Sequence, residues 1–345
     1  MNEFYVKNIS GYAAKIKEYL SGEEFRALFE KINGRYLYEN YFDYFLDHTL
    51  GGKCLRGYLV YLFERLFNGK CDKKTLIAAS AFEVFESAVL MHDDVIDRSR
   101  IRRGKDSAFV ALGDNHTGKS RAICLGDSGL LTAVSMLDKT KNNEIRRYLT
   151  HIFLRTISGE LADIDVAEKR EVCDNDIIAA FIEKTATYTV LGPSVCGALL
   201  SGQTTEQAEQ LLTDFAVNAG VAFQIKDDLL GIYGNEKIIG KTVNGDIAEG
   251  KKSLLVSHFD RVADDKTKRL FYAHYGKGET SENDAQVIRR LFEENGCRTY
   301  AEQKMRDYFT TAKKEILALP AKIQTDENAL NELLLFIEFL ENRQK

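Results

Sequence analysis

Two carboxylate clusters set into apolar, helix-patterned stretches constrain this chain more than any other feature. The first is Asp93, Asp94 and Asp97 in HDDVIDRSRIRRG, and the second is Asp227 and Asp228 in FQIKDDLLG. Unpaired charge is costly to bury, so a fold that takes these segments inside must give the carboxylates a cation. Asp93 and Asp97 are four apart, project from one helix face and can grip one hard cation together. Asp227 and Asp228 supply a second wall, and folding has to bring the distant clusters face to face. Basic residues close to both predict a magnesium–diphosphate site.

The rest of the sequence predicts a body for that site. Across 345 residues there are 2 prolines, Pro193 and Pro320, and 44% of residues are hydrophobic. With short turn clusters and little strict alternation, this is the pattern of an all-α fold with a large buried core. Helices are expected near 9–20, 23–32, 36–48, 54–68, 74–97, 120–138, 143–168, 175–201, 205–233, 251–264, 284–292, 297–318 and 326–342. Loops are expected at Gly51-Gly52, around 98–119 and at 234–250. Both clusters then fall at the C-terminal ends of long helices, each followed by a basic loop. No stretch reads as a linker, so residues 1–345 are expected to form one domain.

A net charge of −5 makes no electrostatic case for nucleic acid, and an anionic substrate would need a local basic pocket. The 6 cysteines show no CxxC pair and are expected as small buried thiols in a reducing compartment. MNEFYVKNIS lacks a signal-peptide core, and no apolar run is expected to reach bilayer length. The expected location is cytoplasmic.

Phe82, Phe85 and Val89 share a helical stripe with Asp93. Such a stripe is usually core, but one ending in carboxylates can also wall an apolar pocket suited to a hydrocarbon tail with a diphosphate head. Arg102 and Arg103 follow the first cluster and offer guanidinium forks to phosphate. Lys53 and Arg56 of GGKCLRG stand at an expected helix start, which favours an anion. Lys241, Lys251 and Lys252 follow the second cluster. Residues 113–120, GDNHTGKS, match a nucleotide-binding phosphate loop, but that loop needs a preceding strand. FVAL is a poor one, so a plain polar loop is the expectation.

GGKCLRG, HDDVIDRSRIRRG, KTATYT and FQIKDDLLG, with GK…GDIAEGKKS, stand in the order and spacing of the trans-isoprenyl diphosphate synthase family, which residues 40 to 345 resemble. The resemblance implies the isoprenoid synthase fold, a single large helical bundle around a central cavity, and a homodimer. It implies a Mg2+-dependent prenyltransferase that joins isopentenyl diphosphate to an allylic diphosphate. Asp93, Asp97 and Asp227 would hold the metal, with Asp94 and Asp228 beside them. Lys184, Arg102 and Lys241 would hold the leaving diphosphate. Thr185 and Gln224 would line the allylic cation with oxygen dipoles, and Phe223 and Lys251 would adjoin the substrate. Lys53, Arg56 and Arg103 would hold isopentenyl diphosphate.

Three positions depart from the family pattern. Glu86 stands where the family generally has His or Gln on isopentenyl diphosphate, and is expected to weaken that binding unless protonated or paired with Lys53 or Arg56. Glu160 replaces a frequent Gln. Gly231 replaces the third aspartate often found in the second cluster. For chain length, Val89 and Ala88 are too small to close the pocket, whereas Phe85 lies about 12 Å below Asp93 and can form a deeper floor. The expected product is geranylgeranyl diphosphate, with fifteen- and twenty-five-carbon products as the alternatives. A terpene synthase acting on a preformed prenyl diphosphate is the alternative, against which Lys53, Arg56 and Arg103 have no evident duty. His92 is expected as a hydrogen-bonded wall residue, and the ENRQK terminus as a charged tail of undecided role.

Overall fold

The apolar periodicity folds into helices in a computed structural model describing residues 3–169, 171–234 and 244–344. In chain order the main elements are α1 (Ser10–Ser21), α2 (Glu23–Leu50), α3 (Leu55–Leu66), α4 (Lys73–Ile96), β1 (Ile101–Arg102), β2 (Lys105–Asp106), α5 (Ala108–Ala111), α6 (His116–Leu137), α7 (Asn143–Glu168) and α8 (Asp174–Phe181). A π-helical stretch, Ile182–Leu191, leads into α9 (Gly192–Leu200) and α10 (Thr205–Tyr233). After Asn244 come α11 (Gly245–Glu249), α12 (Leu254–Val262), α13 (Asp265–His274), α14 (Glu282–Glu294), α15 (Cys297–Leu317) and α16 (Glu327–Asn342). The all-α expectation holds, with one two-stranded ribbon as the exception among the described residues.

Several boundaries differ for identifiable reasons. The two helices expected at 23–32 and 36–48 are the two halves of α2, which breaks where Gly34 adopts φ 79° and ψ 164°, as expected. The single helix expected over 175–201 is three segments, and Pro193 falls in the first turn of α9, directly after the π-helical stretch. The expected loop 98–119 holds a ribbon, α5 and the start of α6, which the Asn115 side chain caps by accepting from Gly118 N at 3.0 Å. A helix rather than a strand therefore precedes GDNHTGKS, which removes the phosphate-loop reading. Helix α13 lies beyond the expected end at 264; Asp264 caps it by accepting from Thr267 N at 2.7 Å.

The chain groups into two compact units: Met1–Phe153 with Thr189–Thr213 and Ile316–Phe336, and Leu154–Tyr188 with Asp214–Glu315 and Ile337–Lys345. In the first, α3 is buried along nearly its whole length, with Tyr58 fully enclosed. A Cβ on Gly197 would come within 2.6 Å of Val60 O, so α9 approaches α3 as closely as backbones allow. Glu332 of α16 accepts from Tyr58 Oη at 2.7 Å and pairs with Arg65 at 2.8 Å. In the second unit Phe259, Phe271 and Phe292 form the aromatic centre, with Phe259 and Phe271 stacked at 4.3 Å. Bringing α7 and α10 onto the π-helical stretch needs small residues. A Cβ on Gly159 would meet Lys184 N at 2.3 Å, and one on Gly220 would meet the Ala186 Cα at 2.4 Å.

Two compositional expectations need correction. Helix α4 is long and apolar enough to cross a bilayer, contrary to the expectation that no run reaches that length. However, 78% of its most apolar window is buried inside the protein, as for a core helix. All the cysteines are free, as expected, but Cys124 and Cys173 are exposed and only Cys54, Cys196 and Cys297 are fully buried.

Candidate active site

The first cluster belongs to the first unit. Asp93 and Asp94 lie in the last turn of α4 and Asp97 is its C-terminal cap. Asp94 is fully buried, and its Oδ1 accepts from Arg102 Nε at 2.8 Å and Nη2 at 2.5 Å. Burial pushes the Asp94 carboxyl up against the opposing pull of Arg102. Its Oδ2 is buried without a donor. Asp93 and Asp97 are half-buried on the same helix end.

The ribbon after α4 delivers the two arginines in different directions. Arg102 pairs with Lys105 across the turn, and Arg103 (φ 55°) and Gly104 (φ 76°) occupy the turn itself. Two successive positive φ values match a tight turn of strand-compatible twist. Arg103 then reaches back past Gly51 and Gly52, where a Cβ would crowd its side chain to 3.3 Å, and donates to His48 O at 2.8 Å. His48 stays neutral, its pKa pulled to about 3 by burial and then by Arg103 and Arg102.

Glu86 is the centre of a charge cluster. Its Oε1 lies 2.7 Å from Arg56 Nη1 and 3.5 Å from Arg103 Nη2, and Arg56 also donates to Thr189 Oγ1 at 2.9 Å. Burial raises the Glu86 carboxyl, but Arg56 and then Arg103 outweigh it, so Glu86 is held ionised below the usual range. Glu83, one turn earlier, goes the other way: burial and the Glu86 charge lift it to about 8, although it accepts from Gly57 N at 2.8 Å. The adjacent acids thus share one negative charge. Of the two pairings that could excuse a carboxylate at this position, the one with Arg56 is present.

The second unit carries the other cluster. Asp227 and Asp228 lie in α10, ahead of its end at Tyr233. A continuous chain of hydrogen bonds runs from Thr185 Oγ1 to Gln224 (2.8 Å) and from Gln224 Nε2 to Asp228 Oδ1 (3.0 Å), where Lys251 Nζ also donates at 2.9 Å. Lys251 keeps its proton because Asp228, Asp246 and Asp163 outweigh the effect of its burial. Asp228 is 4% exposed, burial raises its carboxyl against Lys251, and its Oδ2 has no donor. Lys184 sits between Glu160 and Asp163, 2.8 Å from each. Lys252 instead lies over the Tyr272 ring at 5.7 Å, and Lys241 lies outside the described residues.

Sequence reasoning missed two residues here. Arg343, in the tail, is 7% exposed and bonds Asp227 Oδ1 at 2.5 Å and Phe223 O at 3.1 Å while lying over the Phe223 ring at 3.9 Å. Asp163 lies on α7 one turn from Glu160 and shares Lys184 with it. Its i, i+3 spacing from Glu160 was the available signal.

The proposed pocket residues are placed less openly than expected. Phe85 is fully buried and stacked on Phe153 at 3.7 Å and 8°, and Phe82 meets the same ring edge-on. Ala88 packs against α6, where a Cβ on Gly129 would be 2.8 Å from its own. Val89 is half-buried. His92 Nε2 lies 3.0 Å from Ile123 O, the expected hydrogen-bonded wall position.

Whether these groups suit a divalent metal can be judged from the donors. In each unit one buried aspartate presents an oxygen with no hydrogen-bond donor: Asp94, beside Asp93 and Asp97, in the first, and Asp228, beside Asp227, in the second. Hard oxygen donors of this kind suit a hard divalent cation. Among the described residues no three acidic, His or Cys side chains converge into a closed site.

Comparison with known proteins agrees with this geometry. Residues 36–292 match the family model described as "Polyprenyl synthetase". A geranylgeranyl pyrophosphate synthase of Geoglobus acetivorans is 31% identical over 273 residues, spanning 77% of this chain and 80% of its own. A geranylfarnesyl diphosphate synthase of Aeropyrum pernix is 28% identical over 296 residues, 83% and 90% of the respective chains. In fold, the chain superimposes on a Corynebacterium glutamicum geranylgeranyl pyrophosphate synthase, solved with isoprenyl diphosphate and magnesium, with a TM-score of 0.85 at 24% identity, covering 98% of this chain and 99% of that one. With aspartate clusters, basic motifs and helical fold in agreement, this chain belongs to the polyprenyl synthetase family.

Proposed function

We propose that this protein condenses isopentenyl diphosphate with an allylic diphosphate to a short-chain trans-prenyl diphosphate, with geranylgeranyl diphosphate as product. The observation that carries the reading is the parallel pairing of Asp94 with Arg102 and Asp228 with Lys251. Each aspartate cluster has its buried carboxylate held by a cation, with Asp93 and Asp97 beside the first and Asp227, bonded by Arg343, beside the second.

Asp93, Asp97 and Asp227 would hold magnesium, which draws charge from the allylic diphosphate and so helps its C–O bond ionise. Arg102, Lys184 and Lys241 hold the departing diphosphate as charge-assisted donors. Thr185 and Gln224 direct oxygen dipoles at the allylic cation, beside Phe223 and Lys251. Lys53, Arg56 and Arg103 hold isopentenyl diphosphate, whose double bond attacks the cation, and the departing diphosphate accepts the final proton. No dedicated protein base is required.

The same reading takes the chain as one functional domain acting as a cytoplasmic homodimer. Leu154, Ile157 and Leu161 support the dimer: they lie at one-face spacing on α7 and are 60%, 42% and 60% exposed. Incorporation of labelled isopentenyl diphosphate into extractable prenyl diphosphate tests the reading. Loss of incorporation in both Asp93→Ala and Asp227→Ala is expected; full activity in either would overturn the metal assignment.

A further inference from the structure

The strap of chain after α13 reaches back onto the loop that carries Lys251. Tyr275 caps α13, and its buried ring stacks on Phe271 at 4.6 Å and meets Phe292 edge-on. The ring is thereby anchored in the aromatic centre of its unit. From there its hydroxyl donates to Lys251 O at 2.6 Å. Two further bonds run the same way, from Gly276 N to Ile247 O and from Gly278 N to Ala248 O, each 2.8 Å. A Cβ on Gly250 (φ 79°) would lie 2.8 Å from the Cα of Gly276 (φ 72°), so two left-handed glycines pass in direct contact.

The loop needs such an anchor. Helix α11 has 5 residues, too few to hold its shape alone. Lys251 lies just beyond it, and a lysine is a point charge on a flexible stem. Its backbone position therefore decides where its ammonium can go, and in the folded chain Nζ meets Asp228 Oδ1 at 2.9 Å. Burial first, and then the charges of Asp246 and Asp228, keep the Tyr275 hydroxyl protonated, so it remains a donor. Tyr275, Gly276 and Gly278 lie outside every motif that carries the family resemblance.

We propose that Tyr275 is a positioning residue for the allylic half of the reaction: its hydroxyl fixes the Lys251 backbone and so sets where the Lys251 ammonium meets Asp228 and the allylic diphosphate. This rests on the reading that places Lys251 beside that substrate. Tyr275 touches no reacting atom and acts through Lys251 alone. The Gly276 and Gly278 bonds hold the preceding turn, so the strap orients the loop and the tyrosine sets its last residue.

The test is a double-mutant cycle on the full-length protein, read by steady-state kinetics, by calorimetric binding of inorganic diphosphate with magnesium, and by thermal unfolding. Tyr275→Phe keeps the ring and removes only the hydroxyl. The KM for the allylic diphosphate is expected to rise about tenfold, roughly the effect of losing one buried hydrogen bond, and diphosphate binding should weaken in step. The KM for isopentenyl diphosphate should not move. In a Lys251→Met background, Tyr275→Phe should change neither the allylic KM nor diphosphate binding further, because the group it positions is gone. A residue that merely supports the fold would lower the unfolding temperature and leave both KM values alone, or would shift them equally in either background. Each of those results overturns the inference. Lys251→Met with wild-type kinetics would instead overturn the reading of Lys251 on which the inference rests. Should Tyr275→Phe not fold, Gly278→Ala decides: a side chain at φ 80° strains the strap, and an unchanged allylic KM there counts against the proposal.

Discussion

Glu86 Oε1 lies 2.7 Å from Arg56 Nη1, so an internal carboxylate already occupies a guanidinium assigned to the incoming diphosphate. The second substrate must displace or share that pair. Glu86→Gln removes the competing charge, and the KM for isopentenyl diphosphate is expected to fall roughly tenfold, about the value of one charge-assisted hydrogen bond. Its kcat should change little. Steady-state kinetics with the allylic substrate saturating checks this, and an unchanged KM would count against it.

Glu83 gives the fold a pH dependence of definite sign. Its carboxyl is lifted to about 8, by burial and then by Glu86, so the folded protein binds a proton that the unfolded chain has released above the ordinary carboxylate range. Stability from this group is full at acid pH, declines as pH rises from about 4.5 and is lost beyond about 8. Arg56 and the Gly57 amide oppose the shift, and the nearby Tyr5 hydroxyl and Cys54 thiol are themselves held neutral. Glu83→Gln should flatten the fall in thermal midpoint between pH 5 and 8 (roughly the window set by the linkage). A slope identical to wild type would refute the assignment.

Arg343 competes with metal for Asp227. Its guanidinium bonds Oδ1 at 2.5 Å and lies over Phe223, so metal binding at Asp227 must displace a cation. Arg343→Ala should lower the magnesium concentration for half-maximal activity by several-fold, roughly the worth of one charge-assisted bond. A higher magnesium requirement would mean instead that Arg343 assists the bound diphosphate.

Phe85 is both a core residue and the proposed floor of the product pocket. Removing a buried ring stacked on Phe153 should cost about 3–5 kcal/mol, and Phe85→Ala should also lengthen the prenyl product. Denaturant unfolding and mass spectrometry of products separate the effects. Destabilisation without a longer product would leave Phe85 a packing residue alone.

Periodicity made most helices legible, because α4 and α10 carry their apolar residues at unambiguous helical spacing. It found the break at Gly34 but failed over 182–191, where a π-helical stretch keeps the composition of ordinary helix. Among site residues, Arg102, Lys251, Thr185 and Gln224 were legible because they sit within motifs. Glu83 was not, since its proximity to Gly57 depends on how α4 meets α3. Arg343 escaped for the same reason. Its partner, Asp227, is distant in sequence, and only tertiary packing brings them together.

The most direct test of the central claim is a substrate-omission assay. Purified protein with magnesium is given dimethylallyl, geranyl, farnesyl or geranylgeranyl diphosphate, each with and without isopentenyl diphosphate, and products are read by mass spectrometry. Longer prenyl diphosphates formed only when isopentenyl diphosphate is present, accumulating at twenty carbons, are the predicted result. Hydrocarbons or alcohols formed without it would contradict elongation and make the Glu86–Arg56 pair the mark of a closed second-substrate site.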